Sequence, residues 1–400
     1  AGVAMLVTRV IGGCPACNTA DAFGNVLIAR DHILRGCKAC GYSEEIPLPR
    51  LSKKVIYLDQ FFFSAAFREK DSRFAEAAEL IKKAAANQLL VAPYSSIHED
   101  ETFQWRGFDG QTKGDLMEFI KATSRGHEFE PSYGVERNQV IQAFKAFTQD
   151  ESKEFHVRRK TVLRSDINEW EDYFRVEVGS YRGDVELIRN LKTQSIEQLV
   201  DDAFPNWRNS TSSFQDHVNL ELADAGRFYI KFYIDYVARI VSGDYTAISD
   251  SPIVSMVVQS MLEFLPDEQD LASKIALIKR FFASKHFANI PHHWISARMF
   301  ALLREQVRNG AYPKPDEAKS RLSGLFQDVN HISFYAPYVD AIIVDQPMSS
   351  IVNDGRLDIS SRYGVKTFSL NNWEALLEWL RSLLEQMSVE HKAGLALAYP

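Results

Sequence analysis

Short apolar runs alternate with helical patterns at both ends of the chain. Near the N-terminal end, apolar residues run over 55–58 and again over 89–92, where a proline follows. Between these runs, apolar positions recur at the spacing of an amphipathic helix, and they are Phe74, Ala77, Ala78, Ile81 and Ala85. A strand, a helix and a strand in this order predict neighbouring parallel strands of an α/β sheet.

The same pattern returns after Pro313 and Pro315. A helix is predicted over 328–335, and strands are predicted over 341–344 and 365–368. A final helix carries its apolar residues on one side, and these are Trp373, Leu376, Leu377, Leu380, Leu383 and Leu384. The chain therefore has α/β character on both sides of a long middle segment.

The middle segment has long amphipathic patterns and little strand-like alternation. Apolar positions such as Ile230, Ile234, Val237 and Val241 recur at helical spacing. Its dense aromatic residues are predicted to form helix core, and they include Phe228, Tyr229, Phe232, Tyr233 and Tyr236.

These patterns together predict one α/β core with a parallel sheet, built from residues 53–110 and 321–390. An all-helical insertion over 111–320 splits this core. Such an insertion is tolerable because the entropic cost of closing a loop rises only logarithmically with its length.

The composition of the chain is that of a globular protein and does not indicate a particular function. The chain has 400 residues, of which 46% are hydrophobic and 25% charged, as in soluble globular proteins. The most apolar run, 253–265, is interrupted by polar residues and predicts a buried helix rather than a membrane span. Residues 1–13 lack the pattern of a secretory signal, so we expect a cytoplasmic protein. The formal net charge of −7 argues against a general polyanion binder, so any nucleic acid contact would be local.

The four cysteines form two CxxC pairs within the first 40 residues. The pairs are Cys14 with Cys17 and Cys37 with Cys40, separated by 19 residues. This spacing predicts a zinc ribbon over 10–46, because two tight turns can bring four thiolates to one tetrahedral ion. With all four positions filled by protein ligands, the zinc would be structural. The ribbon would then either staple its own segment or also contact nucleic acid, and a redox dithiol is less consistent with the paired motifs.

Acidic residues lie near the predicted strand ends. Asp59 follows the first strand and Asp345 follows a late strand, and the carboxyl ends of parallel strands share one edge. In an early helix, Ser96 and Glu99 have capping-box spacing, which leaves Glu101 as the chemical candidate. Asp328 precedes Asp345 by 17 positions.

Four converging carboxylates would repel one another, by about 4 kcal/mol for a pair about 4 Å apart at an effective dielectric of 20. Mg²⁺ or Mn²⁺ would offset this repulsion, since both prefer oxygen ligands. The alternative is that Asp59, Asp340 and Asp345 form turns and that Asp328 caps a helix.

The order of these acids resembles that of the PIN-like metal-dependent nucleases. That family has an Asp after the first strand, a Glu on an early helix, an Asp opening a late helix and an Asp after the next strand. Asp59, Glu101, Asp328 and Asp345 occupy those positions, and Asp340 is an additional acid that can join them. The resemblance implies Mg²⁺- or Mn²⁺-dependent hydrolysis of phosphodiester bonds in RNA or single-stranded DNA.

Two features depart from the family pattern. Phe61 stands where the family often has a small polar residue, and the helical insertion is larger than a compact PIN domain contains.

Several histidines and basic residues are weaker candidates. His98 is predicted either to sit by the metal site or orient a phosphate or, as we slightly favour, to be a first-turn residue in contact with solvent. His292-His293-Trp294 is predicted to be either a packed helix start or a phosphate contact. Basic residues that read as solvated helix faces are Arg158, Arg159, Lys160 and Arg164, together with Arg298, Arg304, Arg308, Lys319 and Arg321. The second set leads toward Asp328 and could line the approach to the acids.

The leading hypothesis is a metal-dependent nuclease. The alternatives are a non-catalytic adaptor that binds nucleic acid or a protein, and a toxin or anti-phage effector nuclease. The helical insertion could also bind a protein partner or a second copy of the chain.

Overall fold

The chain is a mixed α/β protein with a parallel sheet and many helices, as the sequence predicts. The computed structural model describes residues 5–150, 155–163, 166–170, 198, 200–247 and 254–400. Within these residues there are two four-stranded sheets. Arg164, which belongs to one predicted basic face, lies outside the described residues.

The first sheet is antiparallel and carries the cysteines. Its strands are β1 (Arg9–Gly12), β2 (Phe23–Ile28), β3 (His32–Cys37) and β4 (Ser43–Pro47), and they pair in chain order. The sheet packs on the C-terminal helix of the chain. There, the side-chain amide of Asn25 donates to the carbonyl oxygen of Ala398 at 2.9 Å, and Arg35 donates to that of Leu397 at 2.9 Å.

The second sheet is parallel throughout. Its strands are β5 (Lys54–Leu58), β6 (Leu90–Val91), β7 (Ala341–Ile343) and β8 (Lys366–Phe368), in the order β6-β5-β7-β8. The strand order reverses between β5 and β7, because β6 lies on one side of β5 and β7 on the other. Open α/β sheets bind ligands at such a switch point, outside the carboxyl ends of the strands.

Helices surround the parallel sheet and fill the middle segment. They span Gln60–Arg68, Ser72–Ala86, Ser96–Gln104, Lys113–Ser124, Ser132–Gln149, Phe214–Val241, Val254–Phe264, Leu271–Phe282, Lys285–Ala288, Pro291–Arg308, Pro315–Tyr335, Gln346–Val352, Ile359–Tyr363, Trp373–Glu385 and Val389–Ala398. Three-residue 3₁₀ turns lie at Arg159–Thr161, Ala336–Tyr338 and Leu370–Asn372, and residues 200–208 are also helical.

Both faces of the parallel sheet are buried. Along β5, Val55 and Tyr57 belong to a core cluster shared with the middle-segment helices, whereas Ile56 and Leu58 belong to a second cluster that includes Leu376. This alternation follows from the two-residue period of a strand. The helical segment therefore packs directly on one face of the sheet.

The helix Pro315–Tyr335 differs from the prediction of a helix over 328–335. Pro315 does not delay the helix but sits in its first turn, where a missing N–H costs no helical hydrogen bond. The boundary predicted at residue 320 consequently lies inside this helix. Asp328 lies in its interior, so the predictions that this residue opens or caps the helix are wrong.

The middle segment has its own core, which includes Phe144, Tyr229 and Met261. The predicted buried helix over 253–265 is found as Val254–Phe264. Burial of Tyr229 is confirmed, whereas Phe228 and Ile234 of the same long helix are exposed. Among the described helices, none has the length and apolar content that a membrane crossing requires.

Gly24→Ala is expected to disrupt pairing of β1 with β2. A methyl group at Gly24 would overlap the carbonyl oxygen of Arg9, so either β1 shifts or the pairing is lost. We expect a loss of about 1–3 kcal/mol in stability of this sheet and faster proteolysis within residues 5–47. The measurements are limited proteolysis and thermal unfolding.

Gly134→Ala is the matched control for this substitution. Gly134 lies in the helix Ser132–Gln149, and an added methyl group there meets no atom within 4 Å. The stability of the Gly134→Ala variant should be unchanged or raised by up to about 1 kcal/mol. Equal proteolysis of the two variants would contradict the close approach of β1 and β2.

Candidate functional site

The four cysteines meet at one point of the antiparallel sheet. Their sulfur atoms all lie within 4.8 Å of one another, and the Sγ atoms of Cys14 and Cys40 are 3.7 Å apart. The Sγ atoms of Cys17 and Cys37 are 3.8 Å apart, and none of the four forms a disulfide. Four thiol ligands at this spacing fit a closed tetrahedral zinc site, as the sequence predicts.

Local backbone geometry prepares both CxxC turns for a metal. The backbone N–H of Ala16 donates to the Cys14 sulfur, and that of Ala39 donates to the Cys37 sulfur. Hydrogen bonds from the side chain and backbone of Thr19 lower the pKa of Cys17 to about 6. Because the thiolate is the metal ligand, Cys17 is already poised for binding near neutral pH.

A second candidate site lies at the switch point of the parallel sheet. Asp59 directly follows β5 and caps the helix Gln60–Arg68, with its carboxylate accepting from the backbone N–H of Gln60 at 2.6 Å. Asp345 caps the helix Gln346–Val352 and accepts from the N–H of Met348 at 2.8 Å. Leu58 pairs with Ile343, so these two acids leave adjacent strands at the same edge.

Glu101 and Asp328 approach this edge from two helices. Burial, followed by the charges of Asp59, Glu101 and Asp345, raises the pKa of Asp328 well above its usual range. Burial and then the charge of Asp345 raise the pKa of Asp59 to about 7. These four acids form what we call the acidic cluster.

The acidic cluster is more open than the cysteine site. Among the described residues, only the cysteines bring three or more candidate ligand atoms within 4.8 Å of one another. The carboxylates of the acidic cluster therefore interact electrostatically, but they are not arranged as a compact set of metal ligands.

Asp340 does not join the acidic cluster. It precedes β7, whereas Asp345 follows it, so the two residues lie at opposite edges of the sheet. Its carboxylate accepts from the N–H of Val55 at 2.8 Å and forms ion pairs with Lys54 at 3.0 Å and Arg159 at 2.9 Å. The expectation that Asp340 assists at the acids is wrong, and Arg159 is not a freely solvated basic residue.

His98 is buried beneath the acidic cluster, so the expectation of a solvent contact is wrong. Its Nε2 donates to the carbonyl oxygen of Leu58 at 2.7 Å, and its Nδ1 accepts from the N–H of Ser95 at 2.9 Å. Ser95 and His98, rather than Ser96 and Glu99, thus form the capping box. Burial lowers the pKa of His98 to about 4, which keeps the ring neutral.

His331 is a residue of the site that sequence reasoning missed. It follows Asp328 by three positions, one turn along the same helix, and its Nε2 lies 3.5 Å from a carboxylate oxygen of Glu101. Its other ring nitrogen contacts the hydroxyl of Tyr57 in β5. His331 therefore lies beside Glu101, within ion-pair distance of its carboxylate. The spacing from Asp328 is the one sequence feature that points to it.

Some of the remaining basic residues form ion pairs with acidic side chains. Arg304 pairs with Glu221, and Lys319 pairs with Asp201. Arg321 lies two helical turns before Asp328, and its charge and that of Asp345 act in opposite directions on the pKa of Tyr312, which burial raises. Arg321 and Asp345 thus both lie within electrostatic range of Tyr312.

The histidines at 292 and 293 are packed. The ring of His292 stacks on Phe334 with centroids 4.0 Å apart, and its Nδ1 lies 2.9 Å from the hydroxyl of Ser333. His293 is buried against Phe287. The packed helix start is therefore the correct alternative for this pair.

Comparison of the chain with models of protein families, with curated proteins and with solved structures gave no match.

Purified protein is expected to contain about one zinc ion per chain. Cys17→Ser combined with Cys40→Ser should remove it, because two of the four thiol ligands are lost. Elemental analysis of both proteins is the measurement. Stoichiometric zinc in the double variant would contradict a four-cysteine site.

Without added Mg²⁺ or Mn²⁺, stability is expected to fall as pH rises from about 4 to about 7. The pKa of Asp59 is about 7 in the folded protein and about 4 when unfolded, so the folded state binds this proton more tightly. Its contribution is complete below pH about 4 and is lost as pH rises through about 7.

The change in stability between pH about 4 and about 7 should be smaller in Asp59→Asn and in wild-type protein with Mn²⁺. Urea unfolding across this pH range, with the zinc retained, is the measurement. Identical pH dependence in wild type and Asp59→Asn would contradict a buried, proton-binding Asp59.

Proposed function

We propose that the protein is a divalent-metal-dependent nuclease of PIN-like type that hydrolyses phosphodiester bonds in RNA or single-stranded DNA. The observation that carries this proposal is the acidic cluster at the switch point of a parallel sheet. Its members come from the ends of β5 and β7 and from two packed helices.

The charge balance at the two edges of the sheet supports a role for cations. At the amino edge, Asp340 is neutralised by Lys54 and Arg159. At the carboxyl edge, no Lys or Arg in the described chain pairs with Asp59, Asp328 or Asp345, and the pKa values of Asp59 and Asp328 are raised. Carboxylate oxygens are the ligands that Mg²⁺ and Mn²⁺ prefer, so the donor set fits either ion.

Asp59, Glu101, Asp328 and Asp345 would hold the metal in this proposal. When bound, the ion would polarise a phosphoryl oxygen and favour a deprotonated water. Other groups of the chain would position these carboxylates. The N–H groups of Gln60 and Met348 fix the carboxylates of Asp59 and Asp345, and His331 contacts Glu101. Arg321 and Tyr312 would contact a substrate phosphate in this proposal, since Tyr312 lies within electrostatic range of both Arg321 and Asp345.

A non-catalytic adaptor is the second candidate function. It is favoured by exposed apolar residues on the long helix Phe214–Val241, where Ile234 is 59% exposed and Val241 is 81% exposed. An adaptor of this kind would bind a protein or nucleic acid through the helical segment without cutting it.

Asp59→Asn is expected to abolish Mn²⁺-dependent cleavage of single-stranded RNA and DNA. The substitution keeps the size of the side chain but removes the charge that the ion would neutralise. The loss should be at least about 100-fold, as is usual for an electrostatic contact at a reacting centre. Cleavage of end-labelled oligonucleotides is the measurement.

Asp340→Asn is the matched control. It makes the same chemical change at the opposite edge of the sheet, where it weakens ion pairs with Lys54 and Arg159. We expect a loss of about 1–3 kcal/mol in stability with cleavage per folded molecule retained. Full activity of Asp59→Asn, or equal loss in both variants, would sink the assignment of the acidic cluster as the catalytic centre.

A further inference from the structure

Two arginines share one tryptophan of the helix Pro291–Arg308. The guanidinium carbon of Arg298 lies 3.1 Å from the ring centroid of Trp294, and that of Arg362 lies 3.8 Å from it. One face of an indole does not accommodate two guanidinium groups this close, so they cover opposite faces. We call these three residues the arginine–tryptophan cluster.

The two positive charges have no carboxylate partner in the described chain. The hydrogen bonds of Arg362 go to Asn289 at 3.4 Å and Tyr363 at 3.2 Å, and that of Arg298 goes to the carbonyl oxygen of Trp294 at 3.3 Å. Burial, followed by the charge of Arg362, lowers the pKa of Arg298 to about 10. The cluster thus holds two like charges that an anion would stabilise.

The geometry leaves hydrogen-bond donors available. A guanidinium stacked on an aromatic face keeps its N–H groups in its own plane, where they can point to a planar or tetrahedral oxyanion. The Nε1–H of Trp294 is also buried without an acceptor in the described chain. Buried donors without a partner are uncommon in folded proteins.

We propose that Arg298 and Arg362, seated on Trp294, bind a phosphate group of a single nucleic acid strand. The choice of a nucleic acid rests on the proposed nuclease function, whereas the choice of an oxyanion rests on the cluster itself. Both faces of the indole are covered, so a base cannot stack there. The contact would hold the backbone without reading its sequence.

The arginine–tryptophan cluster lies toward the amino edge of the parallel sheet, because Arg362 precedes β8 by four residues. His292, two residues before Trp294, stacks on Phe334, and Phe334 follows Asp328 by six positions in the helix Pro315–Tyr335. Six residues correspond to about 9 Å along a helix axis. A strand bound at both sites would therefore run from the amino edge of the sheet to its carboxyl edge.

The test measures binding of a labelled single-stranded oligonucleotide to the full chain carrying Asp59→Asn, without added divalent metal, by fluorescence anisotropy at several salt concentrations. In that background, Arg298→Gln with Arg362→Gln should weaken binding about tenfold and reduce the salt slope by about 0.7, the value for one phosphate contact on a single strand. An oligonucleotide with uncharged methylphosphonate linkages should show no difference between the variant and its parent.

The matched control is Arg73→Gln with Arg381→Gln. These arginines pair with Asp71 and Glu76 on the surface, so the control makes the same change in net charge. Arg298→Lys with Arg362→Lys keeps both charges and should keep the salt slope. Equal weakening in the control and in the Gln pair, or unchanged binding in the Gln pair, would overturn the proposal.

Failure of the nuclease assignment is distinguishable from failure of this site. If Asp59→Asn cuts normally but the Gln pair still weakens binding, the phosphate contact stands without the assigned catalytic centre. If Asp59→Asn abolishes cleavage and the Gln pair binds normally, the catalytic centre stands and the phosphate contact fails.

Discussion

The pairing of β5 with β7 is the constraint on which the candidate site depends. It joins strands that are more than 280 residues apart in the chain, through the register of Leu58 with Ile343. The N–H of Asp59 extends the same ladder to the carbonyl oxygen of Ile343 at 3.3 Å. Backbone hydrogen bonds, rather than the acids themselves, thus hold Asp59 beside Asp345. The mutual repulsion of these carboxylates is imposed by the fold and would be relieved by ions or protons.

The parallel sheet treats its two edges in opposite ways. At the amino edge, Asp340 binds the N–H of Val55 and two cationic side chains, so its negative charge helps to hold β5 and β7 together. At the carboxyl edge, the aspartates of the acidic cluster pair with no Lys or Arg in the described chain, and the nearby histidines His98 and His331 are buried and neutral. An aspartate therefore stabilises strand pairing at the amino edge, whereas other aspartates contribute to the acidic cluster at the carboxyl edge. Position relative to the strand decides between these roles.

Sequence reasoning succeeded where local pattern and structure agree. The strands of the parallel sheet were predicted to within one or two residues, because each is a short apolar run bounded by polar or turn residues. Asp59 and Asp345 followed from those boundaries. Two of the errors share one cause, which is that contacts across the fold override local pattern. Asp340 lies close to Asp345 in sequence but on the other side of a strand, and His98 is buried against Phe63 and His331, with its Nε2 donating to the carbonyl oxygen of Leu58.

The contacts of the antiparallel sheet with the last helix have a consequence for synthesis. Asn25 and Arg35 are held by the carbonyl oxygens of Ala398 and Leu397. The ribosome makes the strands of this sheet more than 350 residues before it makes the helix they contact. Asn25 and Arg35 therefore cannot form these hydrogen bonds until Leu397 and Ala398 have been synthesised.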